Sequence, residues 1–531
     1  MKILIVTSRA AEGIVKEVLS KFKKQNIKIE LLVIDKPPIA AAFTAEKILE
    51  ELKKKSNVKT YDYIIVPGLT SGNVSIIEDT IGVKTVKGPI HAVDIPLAVD
   101  ALLKGYKLSH MEPADKILLP RFIDKIKNML REIERNTYFA IEFNGLKIPL
   151  RGPPIKLVAE VPFKTNSEEI IEIAQRYVDE GADVIILGTS YNDGNIIDLL
   201  STLLKKLDIP IGIDTNRPKE IIKAIEKGAS IVFSLNSDLI SKLADHAKDA
   251  IYVIIPDRGY ENPWDIDARI MSIKENIEKA IKLGYDKVVV DPVLNPIPLG
   301  FTATILSYVR IANELKNSPI VFSASNVLEG LEADTIGVLG LLAGIAIEVG
   351  ASLFHVVEDT AYEYMSVGEA KLALTTNTIA YAMKTHVRNI GLDLLVLKDR
   401  EYIKTEPLPS KRTVIVESRK DEKIVLDPKG YFKINVLRNK AIELAYYKYT
   451  GASDKAEVKF VGTQALSIGR AMLDNIQGLK PDHILYLGYE LAKAEIALKL
   501  GKNYIQDREL FQTIKDKLKL VEEIENKGKN T

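Results

Sequence analysis

The chain of 531 residues contains no cysteine. This excludes disulfide bonds, thiolate zinc sites, iron–sulfur ligation and cysteine nucleophiles, so its chemistry must use oxygen and nitrogen groups. A large net charge is also lacking, because 73 Lys and Arg residues balance 72 Asp and Glu residues. The overall charge therefore gives no reason to expect nucleic acid or an anionic membrane as the main partner.

Long apolar runs are absent as well. No stretch of about 20 apolar residues is present, and the start, MKILIVTSRAAEG, lacks the apolar segment and cleavage site of a signal peptide. We therefore expect a cytoplasmic protein without a membrane span. The single Trp, the scarcity of Gln and the abundance of Lys, Glu and Ile are typical of thermophilic proteins.

The length predicts roughly three domains. In residues 1–150 the apolar strand patterns KILIVTS, KIELLVID and YDYIIVPG alternate with helical spacing, which predicts a doubly wound α/β domain. Residues 399–531 begin with short alternating strands around a DPKG turn and continue as helices, which predicts an α+β domain. Boundaries are expected in the Gly- and Pro-rich stretch Asn144–Lys156 and near Lys398–Lys411.

Two loops of the first domain follow predicted strands. VPGLTSGN (Val66–Asn73) and VKGPIHAVD (Val86–Asp94) lie where doubly wound folds bind ligands. Neither matches a known phosphate-binding motif, so tight turns in a structural domain are the favoured interpretation.

The middle segment, residues 151–398, is repetitive. EGADVIILG, KGASIVFSLN, LGYDKVVVD and VGASLFHVV each follow a helical stretch and have as their second residue a glycine that can end the helix in the left-handed conformation. Four more apolar runs lie between them, which makes eight strand–helix units. This number in about 240 residues predicts a central (β/α)₈ barrel flanked by the two other domains, an α/β fold.

The strands of such a barrel end at its mouth, where barrel enzymes place their sites. Carboxylates and amides gathered there can bind a planar ligand that offers several N–H groups and a carbonyl. The residues at the eight predicted strand ends are Glu160, Thr189, Asp214, Asn236, Asp257, Asp291, Asn326 and His355.

Structural roles compete with this interpretation. In DTNRPKE, Asn216 is a candidate helix cap with Pro218 in the first turn, and Asp291 before Pro292 is a candidate turn residue. Oxygen ligands also suit Mg²⁺. Four such residues at corresponding strand ends favour ligand binding over capping, and the amides and the absence of HxH or HExxH spacing disfavour a metal.

The stretches GADVIILGTS, IPIGIDTNRPKEIIKAIEKGASIVFSLN and KVVVDPVL resemble the pterin-binding barrel of dihydropteroate synthases and methyltetrahydrofolate corrinoid methyltransferases. The closest resemblance is to the archaeal dihydropteroate synthase-related family. It covers roughly Ile155–Leu395. The resemblance implies that Asp214, Asn236 and Asp291 hold the aminopyrimidinone ring of a pterin, with Asp291 in a two-pronged contact.

Departures from the synthase pattern favour the methyltransferase branch. The cationic clamps that a synthase needs for a pyrophosphate leaving group are missing in GTSYNDGN, SASNVLEG and FHVVED. SASNV instead resembles the methyltransferase motif whose Asn, here Asn326, assists proton gain at the pterin N5. Asn326 and Asp214 are therefore the candidate catalytic residues, with His355 and Glu160 as further ligand contacts at the mouth.

The resemblance implies methyl or one-carbon transfer from a reduced pterin of the tetrahydrofolate or tetrahydromethanopterin type. Dihydropteroate synthase-like condensation and a non-catalytic pterin-binding scaffold are the alternatives. Methyltransferase analogy suggests a corrinoid or other methyl acceptor as partner. The chain has no D-x-H-x-x-G cobalamin motif, so that group would come from a separate protein. The same analogy raises a homodimer as an open possibility.

Overall fold

The computed structural model describes residues 1–22, 27–162, 167–188, 196–387, 390, 392–399, 410–416, 427–437, 440–449, 455–514, 517–519, 521 and 524. The chain forms two compact units, Met1–Pro409 and Ser410–Thr531. The finer division into three domains at residues 150 and 398 stays a prediction.

The first unit begins with a four-stranded parallel sheet. Its strand order is β2-β1-β3-β4, and apolar clusters pack on both faces, as a parallel sheet covered by helices requires. Its elements are β1 (Lys2–Ser8), α1 (Glu12–Lys21), β2 (Lys28–Ile34), α2 (Ala45–Lys53), β3 (Tyr63–Val66), α3 (Ser75–Ile81), β4 (Lys84–Lys87), α4 (Ile95–Leu103) and α5 (Ala114–Asn136).

A hairpin and a barrel follow. The hairpin consists of β5 (Phe139–Phe143) and β6 (Leu146–Pro149). The barrel elements are β7 (Lys156–Val161), α6 (Ser167–Asp179), β8 (Val184–Gly188), α7 (Ile196–Lys206), β9 (Ile211–Asp214), α8 (Pro218–Lys227), β10 (Ile231–Leu235), α9 (Ser237–Lys242), β11 (Ile251–Ile254), α10 (Ile266–Lys282), β12 (Val288–Val290), α11 (Phe301–Glu314), β13 (Val321–Ser323), α12 (Ser325–Leu328), α13 (Thr335–Glu348), β14 (Leu353–Val357) and α14 (Ser366–Ala382).

The eight barrel strands are parallel and their sheet closes. Neighbouring strands follow the order β12-β11-β10-β9-β8-β7-β14-β13. A single bridge between Val290 and Ile320 joins the two ends of this order. The predicted (β/α)₈ barrel is therefore confirmed.

Glycines end the helices as the sequence predicts. The backbone φ angles of Gly181, Gly228, Gly284 and Gly350 are 99°, 107°, 90° and 70°. Gly228, for example, is the left-handed cap residue of α8, in the short turn that leads to β10. A side chain at this φ angle would be strained, so glycine allows the short return from helix to strand.

Alternate side chains along the strands have different surroundings. Leu157, Ile185 and Phe322 belong to the large cluster under the helices, whereas Val158, Val184 and Val321 belong to a cluster inside the barrel. Ile141, Leu146 and Ile148 of the hairpin join this inner cluster. Since the hairpin directly precedes β7, it closes the amino-terminal end of the barrel.

Arg151, which lies between the hairpin and β7, makes hydrogen bonds to the backbone at the end of α11. Its guanidinium donates hydrogen bonds to the carbonyl oxygens of Ser318 at 2.6 Å, Leu315 at 3.0 Å and Ala312 at 3.2 Å. These carbonyls lie at the end of α11 and in the turn before β13, where a cation complements the helix dipole.

The second unit has an antiparallel sheet with the order β15-β16-β17 and two helices. Its elements are β15 (Gly430–Leu437), β16 (Ala441–Lys448), β17 (Val458–Gly462), α15 (Ala465–Asn475) and α16 (Pro481–Leu500). Asp427 accepts the backbone N–H of Lys429 at 2.9 Å, which forms the predicted turn before β15.

Across the described residues of both units, no helix combines the length and apolarity that a membrane crossing requires.

Candidate functional site at the barrel mouth

A polar layer lies above the apolar interior of the barrel. On four strands, the position two residues beyond an inward apolar residue is polar, and on β9 the polar Asp214 follows Gly212 in the same way. The mouth thus combines three carboxyl groups with an imidazole and a hydroxyl. These residues are Glu160, Asp214, Asp291, Ser323 and His355.

The buried His355 and the partly exposed Glu160 form a pair. The two residues come from adjacent strands β14 and β7, and Nε2 of His355 lies 3.0 Å from Oε2 of Glu160. The Ser325 hydroxyl lies 3.3 Å from Nδ1. Burial alone would lower the pKa of the 7% exposed His355, but the hydrogen bond and charge of Glu160 outweigh burial and raise it. The pair is suited to holding a proton at the mouth.

Gly188 leaves room for the Glu160 carboxylate. A Cβ atom at Gly188, the last residue of β8, would lie 2.3 Å from Oε1 of Glu160. Any larger residue would displace the carboxylate, so glycine here positions Glu160 rather than forming a turn.

Asp214 has a strongly shifted carboxyl group. Burial raises its pKa to about 6, the charge of Glu160 adds to the rise, and the hydrogen bond from Ser234 opposes it. The Ser234 hydroxyl donates to Oδ2 of Asp214 at 2.9 Å. Ser234 has a φ angle of 66° at a register shift of β10, and this strained conformation allows its side chain to reach Asp214.

Asp291 lies at the carboxyl end of β12 and is 6% exposed. Its Oδ1 accepts hydrogen bonds from the Val293 N–H at 2.7 Å and the Tyr308 hydroxyl at 3.2 Å, and its Oδ2 accepts one from the Ser323 hydroxyl at 2.5 Å. Burial raises its pKa, and the hydrogen bonds limit the rise. Val293 has a φ angle of 62°, a strained value for a β-branched residue that directs its N–H to Asp291.

Arg269 holds the loop behind Asp291. This fully buried residue of α10 donates to the carbonyl oxygens of Pro292 at 3.0 Å and Val293 at 2.6 Å. It also donates to the carbonyl oxygen of Gly259 at 2.6 Å and to Oδ1 of Asn295 at 3.0 Å. One guanidinium therefore links the loops that follow β11 and β12.

The two candidate amides follow their strands instead of lying in the inner layer. Oδ1 of Asn236 accepts the Leu239 N–H at 3.0 Å and caps α9, while its Nδ2 has no hydrogen-bond partner in the described part of the chain. Nδ2 of Asn326 donates to the carbonyl oxygen of Leu294 at 2.9 Å, and its Oδ1 accepts a weak 3.4 Å bond from Ser325. Each amide keeps one atom able to form a further strong bond.

Other predicted positions differ from expectation. The Asn216 cap is wrong: Arg217 precedes α8 at the cap position without a side-chain cap bond, although Pro218 does begin the helix. Asp257 is exposed and accepts the Ser237 N–H at 3.1 Å, so it supports the start of α9. Thr189 and the loop 189–195 lie outside the described residues. Within the described ranges, no three His, Asp or Glu residues have the geometry of a metal site.

Sequence reasoning missed four residues that support the carboxylates: Ser234, Arg269, Tyr308 and Ser323. Ser323 carried a usable signal, because it lies two residues after the inward-facing Val321. Ser234 depends on a register shift, and Arg269 and Tyr308 reach the mouth from helices, which no strand pattern reveals.

The chain is similar to known proteins along different parts of its length. A family model described as PterinBD-DUF4346 matches residues 426–507, within the second unit. The solved structures that resemble the chain include Yersinia pestis DHPS with a pterine–sulfa conjugate, at 16% identity and a TM-score of 0.38, covering 46% of this chain and 99% of that one. Dihydropteroate synthase from Xanthomonas albilineans with 7,8-dihydropteroate is 19% identical with a TM-score of 0.36, covering 44% and 94%.

Similarity along the whole chain comes from an archaeal relative. The uncharacterized protein MJ0107 of Methanocaldococcus jannaschii is 32% identical over 532 aligned positions, which cover 96% of this chain and 99% of the relative. The chain therefore belongs to the same family as this archaeal protein, and the family-model match within the second unit agrees with the dihydropteroate synthase-related family that its motifs indicated.

Proposed function

We propose that the barrel mouth binds a reduced pterin and that the protein transfers a methyl or other one-carbon group from N5 of this pterin to an acceptor. The observation that carries the proposal is the inward polar layer, in which the carboxyl groups of Asp214 and Asp291 accompany the Glu160–His355 pair. An aminopyrimidinone ring offers several N–H donors to such a layer, and N5 offers an atom that needs a proton during transfer.

Ring binding uses the atoms that retain hydrogen-bonding capacity. Oδ1 of Asp291 already accepts two hydrogen bonds, whereas Oδ2 accepts one. We therefore assign a single contact through Oδ2 to Asp291, in place of the two-pronged contact expected from family resemblance. Asp214 accepts a second ring N–H, and Nδ2 of Asn236 donates to a ring acceptor.

Transfer requires N5 to leave as a neutral amine. Protonated N5 carries the methyl group until the acceptor attacks the carbon, whereupon the electrons of the breaking C–N bond remain on N5. His355 supplies this proton to N5, and Glu160 stabilises the His355 imidazolium before the proton is transferred. Oδ1 of Asn326, which has only its weak bond from Ser325, accepts the N5–H. In this scheme His355 and Asn326 act at N5, whereas Asp214, the other candidate catalytic residue, acts by holding the ring.

The pterin in the proposal is of the tetrahydrofolate or tetrahydromethanopterin type, and the acceptor is carried by a separate protein, such as a corrinoid protein. The dihydropteroate synthase-like alternative predicts pyrophosphate release. A scaffold predicts tight pterin binding without turnover.

Calorimetric titration of the full chain with each tetrahydropterin, with and without an N5 methyl group, tests binding. We expect Asp291→Asn to weaken binding by about 100-fold, because a buried charged acceptor is lost. Asp257→Asn, at an exposed strand end, is the matched control and should bind as the wild type does. Wild-type affinity in Asp291→Asn would remove the ring-binding assignment.

Turnover is measured separately with methylated pterin and cob(I)alamin as the probe acceptor. Methylcobalamin formation supports transfer. Binding without methylcobalamin formation supports the scaffold, and release of pyrophosphate from a pterin pyrophosphate and an arylamine supports the synthase.

A further inference from the structure

Lys87 is a largely buried lysine in the N-terminal sheet. It is the last residue of β4 and is 6% exposed. Among the described residues, no acceptor forms a hydrogen bond or ion pair with its ammonium group. Burial lowers its pKa, although the charge of Glu112 acts in the opposite direction. The Glu112 carboxylate is itself paired with Lys116 at 2.9 Å. An ammonium group without a partner is costly to bury.

Thr70 is a second polar residue without a partner, in a loop at the same edge of the sheet. It lies in the loop between β3 and α3 and is 1% exposed, and its hydroxyl has no hydrogen-bond partner in the part of the chain that the structure describes. Buried hydroxyl groups normally have a partner, so one without any indicates an unfilled binding position.

The strand pairing brings the two residues to one place. Lys87 pairs with Val66, the last residue of β3, so the side chains of Lys87 and Val66 point to the same face. The loop that contains Thr70 leaves β3 directly after Val66 and leads to α3, whose Ile77 packs with Val66 in the cluster on that face. Both unsatisfied groups therefore lie on the α2–α3 side of the sheet, at its carboxyl edge.

Two glycines hold the loops after β3 and β4 together. A Cβ atom at Gly68 would lie 2.6 Å from the carbonyl carbon of Pro89. The N–H of Gly68 donates to the Pro89 carbonyl at 3.1 Å, and that of Gly88 donates to the Val66 carbonyl at 2.7 Å. The carboxyl edge of a doubly wound sheet is where such folds bind ligands.

We propose that Lys87 and Thr70 form a second ligand site, the Lys87–Thr70 site, which binds a small anionic group such as the phosphate or carboxylate of a metabolite. One anion supplies what both residues lack: a counter-charge for the ammonium group and an acceptor for the hydroxyl. This site is in a different part of the first unit from the barrel mouth, and the proposal does not depend on pterin chemistry.

Calorimetric titration of the full chain with inorganic phosphate, and separately with acetate, tests the site. We expect wild-type protein to bind one of them, Lys87→Met to bind at least tenfold more weakly and Thr70→Val to bind a few-fold more weakly. Lys84→Met removes an exposed lysine from the same strand and should bind as the wild type does. Preference for phosphate identifies a phosphorylated ligand, and preference for acetate identifies a carboxylate.

A stability measurement adds a second criterion. Without added anion, Lys87→Met should melt at a higher temperature than the wild type, because it removes an unpaired buried charge. Equal anion affinity in the wild type and Lys87→Met, or no binding of either anion to the wild type, would overturn the proposal. If Lys87→Met does not fold, an anion affinity of Thr70→Val equal to that of the wild type would also overturn the proposal.

Discussion

Asp214 is the residue whose ionisation should affect folding most directly. Its pKa in the folded protein is raised from 3.8 to about 6, so the unfolded chain loses this proton at a lower pH. The folded state therefore loses stability as pH rises from about 4 to about 6, the opposite of a salt-bridged aspartate. Burial of the Asp214 carboxylate near Glu160 therefore lowers the stability of the folded protein at neutral pH.

Asp214→Asn should remove this cost. The variant keeps an acceptor for Ser234, and we expect its free energy of unfolding to exceed that of the wild type by about 1–3 kcal/mol at pH 7.5. Near pH 4 the two proteins should be equally stable. Urea unfolding at both pH values measures the difference, and a less stable variant at pH 7.5 would contradict the assignment.

The pKa of His355 depends on Glu160, and this can be tested without a substrate. In Glu160→Gln the imidazolium loses its charged partner while burial remains, so the pKa of His355 should fall. Titration of the histidine ring signals by NMR measures it. Gly188→Ala should shift the pKa in the same direction, because its methyl group displaces the Glu160 carboxylate.

A matched control is Asp257→Asn, which changes an exposed carboxyl group in the loop after β11. This variant should leave the His355 titration unchanged. A His355 pKa that is the same in Glu160→Gln and the wild type would rule out the pair as the source of the raised value.

At the scale of single residues, strand alternation explains what could be predicted. Asp214 ends its apolar strand and Asp291 follows one, whereas Glu160 and His355 lie within β7 and β14. The alternation of side chains along the strands places them inside the barrel. Asn236 also lies at its predicted strand end, but its carbonyl oxygen caps a helix. Sequence cannot distinguish these two uses of a polar strand end, because both require a polar residue at the same position.

At the scale of elements, the segment between β12 and α11 is shaped by one side chain from α10. Arg269 provides a planar fork to several carbonyl oxygens, and a lysine cannot reproduce that geometry. We expect Arg269→Lys to cost about 2–4 kcal/mol of unfolding free energy and to weaken pterin binding, since Asp291 precedes this segment.

Arg310→Lys is the control for this prediction. Arg310 lies on α11 with an exposed side chain paired to Glu314 at 3.0 Å, and such surface pairs contribute about 0–1 kcal/mol. Denaturant unfolding of both variants measures the contrast. A similar small loss in both would show that Arg269 does not hold the segment.

The strands and helices of the barrel could be predicted for two reasons. Strands buried on both sides must be apolar throughout, and glycines mark the ends of several of the helices. The hairpin was less visible. Residues 144–156 were interpreted as a Gly- and Pro-rich boundary, yet β6 occupies Leu146–Pro149 and its Leu146 and Ile148 fill the barrel interior. A four-residue strand with two apolar residues is too short to show the alternation that predicts a strand. Its role becomes visible only when the barrel residues that bury these two side chains are known.

At the scale of the whole molecule, the second unit should fold alone. Its sheet and helices share one apolar core that includes Phe432, Leu444 and Leu487, and the family-model match at residues 426–507 lies within it. We expect a fragment of residues 410–531 to unfold cooperatively in urea, monitored by circular dichroism. A gradual loss of signal without a transition would show that this unit needs the rest of the chain.

The pairing of β7 with β14 has a consequence during synthesis. Lys156 pairs with Leu353, so the first barrel strand must wait until nearly all of the barrel has been translated. At about 5–20 residues per second this wait is roughly 10–40 s. Throughout that time β7 has an unpaired edge that can join strands of other nascent chains. The yield of folded protein should therefore depend on how quickly the ribosome completes the segment between these two strands.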